Sequence, residues 1–196
     1  MRYPRASVPA AATGQPVAMP LGASDLRRKG SKVALLVFGT LLDTALEVAG
    51  DLDATVVNMR FVKPLDVRRV FEFARTHDLV VTIEENMIAG RAGSAVGECL
   101  AARGLRVPLL QLGLADDVTE HGTREEVLRD AGLDRAGILA SIERQRALLA
   151  ARMTVAVTLG SATLNVARAA GRLLSTLSPA PPGRRHTAPV GDSDAS

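Results

Sequence analysis

Four short apolar runs mark the first 112 residues, and the first three are each followed by a polar turn and a helical pattern. The first, Val33-Ala-Leu-Leu-Val-Phe38, is continuously apolar, as expected of a strand covered on both faces. Gly39-Thr40 turns the chain, and a helix is predicted from about Leu42 to Gly50. The second run, Thr55 to Met59, is rich in β-branched residues. It leads into Arg60-Phe-Val-Lys-Pro64, where Pro64 pushes Lys63 towards extended backbone and stops a helix from forming. Asp66 then stands as the N-cap of a helix to about Thr76, with Val67, Val70, Phe71 and Ala74 at helical spacing. The third run is Leu79 to Ile83; Glu84-Glu85-Asn86 and a loop follow, and Gly90-Arg-Ala-Gly93-Ser94 opens a helix to about Arg103. The fourth is Val107 to Leu112, where Pro108 marks a sheet edge or a strand start. This alternation predicts an α/β fold with three layers, a mostly parallel sheet between flanking helices.

Beyond the fourth run the pattern turns helical. Thr123 and Glu126 fit a capping box for a short helix to about Ala131. Gly132-Leu133-Asp134 separates it from a helix over 135–150, with Ile138, Leu139, Ile142 and Leu149 on its apolar face. The flanks differ. Residues 1–30 carry a stretch bearing Pro, Ala and Gly that reads as a linker, ending in a basic turn from Arg27. Within 151–196, Met153 to Leu177 has the pattern of a strand-like piece and an amphipathic helix, and the segment from Ser178 onward reads as a disordered tail. The domains expected are thus 1–30, 31–150 and 151–196.

Charge sharpens this division. Residues 31–150 hold 14 basic and 18 acidic side chains, whereas the two flanks together hold 10 basic and 3 acidic. The formal net charge of +3 therefore comes from the flanks, and the acidic centre argues against a nucleic-acid-binding domain. An aromatic content of 3% leaves few platforms for base stacking. Cys99 is the single cysteine, placed mid-helix among apolar neighbours and read as a small hydrophobe, so no intramolecular disulfide exists. His77, His121 and His186 lack metal-ligand spacing. No signal peptide or membrane-spanning run is visible, so a cytoplasmic protein with no membrane partner is expected.

The stretch Asn58-Met-Arg-Phe-Val-Lys-Pro-Leu-Asp66 resembles the signature of the 1-deoxy-D-xylulose-5-phosphate synthases, in their C-terminal, transketolase-like domain. Phe38-Gly39-Thr40, Val81 to Asn86, Gly93-Ser94, Gly113-Leu114, His121-Gly122-Thr123 and Gly132-Leu133-Asp134 extend the resemblance from residue 1 to about 146. Arg91 and Ala115 depart from it, standing where that family has a glycine and a proline. Tyr3-Pro4-Arg5 resembles the motif that closes the family's pyrimidine-binding domain, with Ala6 in place of its glycine. The resemblance implies that Arg5 meets the substrate phosphate. It also implies a homodimeric enzyme using thiamine diphosphate and magnesium to join pyruvate to glyceraldehyde 3-phosphate. The diphosphate-binding Gly-Asp-Gly motif is absent from this chain, and no catalytic, cofactor-binding or metal residue is assigned within it.

Several residues remain open to a second reading. Glu84 and Glu85, at the carboxyl end of a strand, are candidates for acid–base work, yet side chains alternate along a strand and both cannot line one pocket. They are read as structural carboxylates. The Gly90–Ser94 turn is a candidate anion seat, read instead as a tight turn with Ser94 capping the helix. His121 has no paired nucleophile, and Arg60 and Lys63 are read as fixing the crossing and an interdomain contact. The chain is thus read as the C-terminal fragment of such a synthase, inactive alone. The alternatives are a docking or anion-binding module, or one subunit of a split thiamine-diphosphate enzyme.

Overall fold

The computed structural model describes residues 18–116 and 122–154. Arg5, His121 and the segment from 155 to 196 lie outside these described residues, as do the expectations attached to them. The elements run β1 (Asp25–Arg28), β2 (Val33–Phe38), α1 (Leu42–Leu52), β3 (Thr55–Asn58), α2 (Val67–Thr76), β4 (Leu79–Met87), α3 (Ala92–Ala102), β5 (Leu109–Leu114) and α4 (Arg124–Asp130). A further helix, α5, occupies 135–154. Its first part belongs to one compact unit ending at Leu148 and the remainder to a second unit starting at Leu149.

The five strands form one sheet in the order β1-β3-β2-β4-β5. All neighbours pair in parallel except β1, which is antiparallel to β3. The central strand β2 is buried along its whole length, so its unbroken apolar run has a cause: both faces are covered. On one face Ala34, Leu36, Val57 and Val80 meet Val70 and Phe73 of α2 and Val96 and Leu100 of α3. Residues Leu35, Val37, Val81 and Ile83 alternate with these along the strands and are also fully buried. In α1 and α5, Val48, Ile138 and Ile142 are buried too, and Arg135 of α5 pairs with Asp51 of α1 at 2.5 Å.

Three local features differ from the sequence reading. Residues 25–28, expected to be linker and basic turn, form an edge strand. Four residues with three charges carry no strand periodicity; pairing with β3 and the partial burial of Leu26 against the core create the strand. β4 does not stop at Ile83 but continues to Met87 through a bulge: Ile83 pairs with Leu112, while Met87 pairs with Leu114. Gly113 makes room for it, since a Cβ there would stand 2.7 Å from Asn86 O. In α2 Val70 and Phe73 are buried and Phe71 and Ala74 pack partly buried against the same core, whereas Val67, expected on the apolar face, is exposed. Two predicted caps are present. Asp66 Oδ1 accepts from Arg69 N at 3.1 Å as the N-cap of α2, and Thr123 and Glu126 form the capping box of α4.

Candidate functional site

In an open parallel sheet, ligands gather outside the carboxyl ends of the strands where successive connections leave in opposite directions. Here that point lies between β2, whose connection leads to β3 on one side, and β4, whose connection leads to β5 on the other. The residues there are Thr40, just beyond β2, and the Glu84-Glu85 pair of β4. The strand pleat sends the two carboxylates to opposite faces, as the sequence reading required.

Glu85 is held by a side chain from far along the chain. Arg124 Nε donates to Glu85 Oε1 at 2.9 Å and its Nη2 to Oε2 at 2.6 Å, a two-pronged grip. The Thr40 hydroxyl donates to the same Oε2 and accepts from Arg124 Nη2 at 3.2 Å. Burial by itself raises the Glu85 pKa, but the hydrogen bonds from Arg124 and Thr40 outweigh it and hold the carboxyl below its ordinary value. A Thr–Glu–Arg cluster therefore joins the carboxyl ends of β2 and β4 to the start of α4. Sequence reasoning missed Arg124. The capping box placed it at a helix start, but no local signal links it to a carboxylate 39 residues earlier.

Glu84 points to the α3 face and is buried, at 5% exposure. Its carboxylate accepts from Gly93 N at 2.8 Å and Ala92 N at 3.2 Å. Two of the free donors of the α3 N-terminus, which made Gly90–Ser94 a candidate anion seat, are thus satisfied by the chain's own acid. Burial raises the Glu84 pKa above its ordinary value, more than these two bonds and Arg91 lower it. Ser94 does not cap α3, because the N-cap is Arg91. Its hydroxyl instead donates to Ile88 O at 2.9 Å and accepts from Gly90 N at 3.0 Å, which holds the turn.

Arg60 Nη2 reaches Asp25 at 2.9 Å, which ties the crossing to β1, and Lys63 is exposed beside the cis Lys63–Pro64 bond. His77 lies with Nε2 2.9 Å from Thr55 Oγ1, and burial lowers its pKa. Cys99 is half-buried and burial raises its thiol pKa, which opposes a nucleophilic role. Among the described residues no group of three or more His, Cys, Asp and Glu side chains is placed to hold a metal ion. The α3 N-terminus, the anion seat suggested by the glycines, does not fit a diphosphate, because Ala92 N and Gly93 N already donate to the Glu84 carboxyl. No helix among them is long and apolar enough to cross a membrane.

These features define a three-layer α/β module with a Thr–Glu–Arg cluster at its switch point. Residues 22–138 match the family described as "Transketolase, C-terminal domain", and the chain belongs to that family. It is 58% identical over 143 residues to the 1-deoxy-D-xylulose-5-phosphate synthase of Thioalkalivibrio sulfidiphilus, covering 72% of this chain and 22% of that protein. Against the synthase of the same name from Pseudomonas aeruginosa, identity is 56% over 149 residues, covering 74% of this chain and 23% of the relative. The chain thus spans less than a quarter of the length of these relatives. A solved structure titled "Split gene transketolase, inactive beta4 tetramer" superposes with a TM-score of 0.61 at 30% identity, covering 65% of this chain and 43% of that one.

The Arg124 grip carries a stability prediction. Glu85 and Arg124 keep 21% and 31% of their side-chain surface, so the pair lies between an exposed and a buried bridge. Arg124→Ala is expected to cost about 1–2 kcal/mol near neutral pH. A carboxyl whose folded pKa is lowered stabilises the fold above its unfolded pKa, and that contribution is lost as pH falls through the folded value. The gap between wild type and Arg124→Ala should therefore close on acidification. Denaturant titrations across pH 3–7 test this, and a gap that stays constant would contradict it.

Proposed function

We propose that this chain is the C-terminal module of a 1-deoxy-D-xylulose-5-phosphate synthase-type transferase, with a scaffolding rather than a chemical role. The parent reaction joins pyruvate and glyceraldehyde 3-phosphate with loss of carbon dioxide and supplies isoprenoid, thiamine and pyridoxal synthesis. Its setting is the cytoplasm, its assembly a homodimer, and its cofactors thiamine diphosphate and magnesium, held by domains other than this one. The observation that carries this reading is the high identity to such synthases over a region in which Arg124 holds Glu85 at the switch point and Glu84 holds the α3 N-terminus. Residues 1–30 then serve as the connection, with Arg5 the position tied to substrate phosphate, 31–150 as the body of the module, and 151–196 as an extension.

A second reading, one subunit of a split enzyme, is favoured by the likeness to a split-gene transketolase. Both readings predict no turnover by the isolated chain in a coupled assay with thiamine diphosphate and magnesium. A chimera in which this chain replaces the corresponding region of the T. sulfidiphilus synthase is expected to turn over. Product from the isolated chain above background, or a dead chimera, would count against this function.

A further inference from the structure

Seven large apolar side chains are exposed among the described residues, and four of them lie on two segments, 19–24 and 62–67, that meet at Gly22–Pro64 and Ser24–Asp66. Leu21 is 75% exposed, Met19 59%, Val62 47% and Val67 38%. Residues 19–24 run beside the crossing between β3 and α2. A Cβ on Gly22 would stand 2.9 Å from Pro64 Cγ, and Ser24 donates to Asp66 Oδ2 through both its N–H, at 2.9 Å, and its hydroxyl, at 2.7 Å. Asp66 also caps α2 through Oδ1, so one carboxylate clamps the incoming chain to the helix start. Scattered apolar residues are ordinary on a surface, but four exposed ones on two segments tied together by Asp66 point to a contact site. Lys63 and Arg68 rim the group, both exposed and neither within ion-pair distance of an acid among the described residues.

We infer that this patch is the docking surface for the part of the synthase that precedes this domain, on the same polypeptide or supplied as a separate one. This rests on the function proposed above. The occupant is set by where the chain enters. The family match begins at residue 22, inside the patch, and the family's description places the domain at the C-terminus. In the relatives, more than three quarters of the protein lies outside the matched region. What precedes residue 22 is tethered at the patch and has a high effective concentration there. The rim of Lys63 and Arg68 suits a surface bearing carboxylates around an apolar centre.

The experiment reads burial by thiol labelling, in the full chain and in the chimera. Cys99→Ser removes the only native thiol of this chain. Val62→Cys then reports the patch, and Lys29→Cys reports the opposite, amino end of the sheet, where Lys29 is exposed. Maleimide labelling is followed peptide by peptide. In the chimera, position 62 is expected to label at least about tenfold more slowly than in the isolated chain, and position 29 at an unchanged rate. Position 62 labelling at the isolated chain's rate, or both positions slowed alike, overturns the inference. Protection already present in the isolated chain also overturns it: a second copy is the occupant if protection rises with concentration, a segment of the same chain if it does not. An inactive chimera with position 62 protected removes the proposed function and leaves the surface. An active chimera with position 62 open does the reverse.

Discussion

Gly30→Ala is expected to destabilise the domain by about 3 kcal/mol or more, at or beyond the upper end of ordinary overpacking. A Cβ on residue 30 would stand 2.3 Å from Asp53 O and 2.4 Å from Ala54 C. Both belong to backbone that cannot yield. Asp53 O accepts from Ser31 N at 2.7 Å, and Ala54 O accepts from Arg28 Nη1 at 2.5 Å. Asp53 itself sits in the left-handed region at φ 47°, ending α1 just before β3. Moving this backbone would disturb the register of β3 with both β1 and β2. Gly39→Ala is the companion measurement. Nothing lies within 4 Å of a Cβ there, and only its φ of +95° opposes a side chain, so a loss of about 1 kcal/mol is expected. The chain has no tryptophan, so circular dichroism in urea is the suitable probe. A Gly30→Ala midpoint equal to that of Gly39→Ala would refute the close-approach account.

Glu84→Ala is the second large effect, at about 2–4 kcal/mol. It leaves the buried N–H groups of Ala92 and Gly93 without an acceptor, and each such loss costs about 1–3 kcal/mol. Its pH dependence runs opposite to that of Arg124→Ala. A carboxyl with a raised folded pKa contributes stability that is full below its unfolded pKa and declines as pH rises through the folded value. The gap between wild type and Glu84→Ala should therefore be widest in acid and narrow towards neutrality. The same titrations that test Arg124 thus separate two adjacent glutamates by the sign of their slopes. Equal slopes would mean that the pleat does not give them different environments.

How much of this was legible in the chain depends on the range of each signal. The four parallel strands and their helices could be read because a strand covered on both faces needs a run such as 33–38, and because caps such as Asp66 and Thr123 act within three residues. The strand period also separated Glu84 from Glu85 before their partners were known. The family could be read in the order of short motifs along the chain.

What only tertiary structure decided were the partners. Arg124 finds Glu85 across 39 positions, and Ser24 finds Asp66 across 42. β1 exists because β3 offers it an edge; the same four residues alone look like a basic turn. The glycines of the α3 N-terminus allowed an anion seat but were read as a tight turn; the carboxyl that takes its N–H groups is Glu84 of the same chain. Patterns of apolar and polar residues specify which segments form strands and helices, since those depend on neighbours a few residues away. They do not specify which charges meet, because side chains distant in sequence are brought together only when the sheet has ordered its strands.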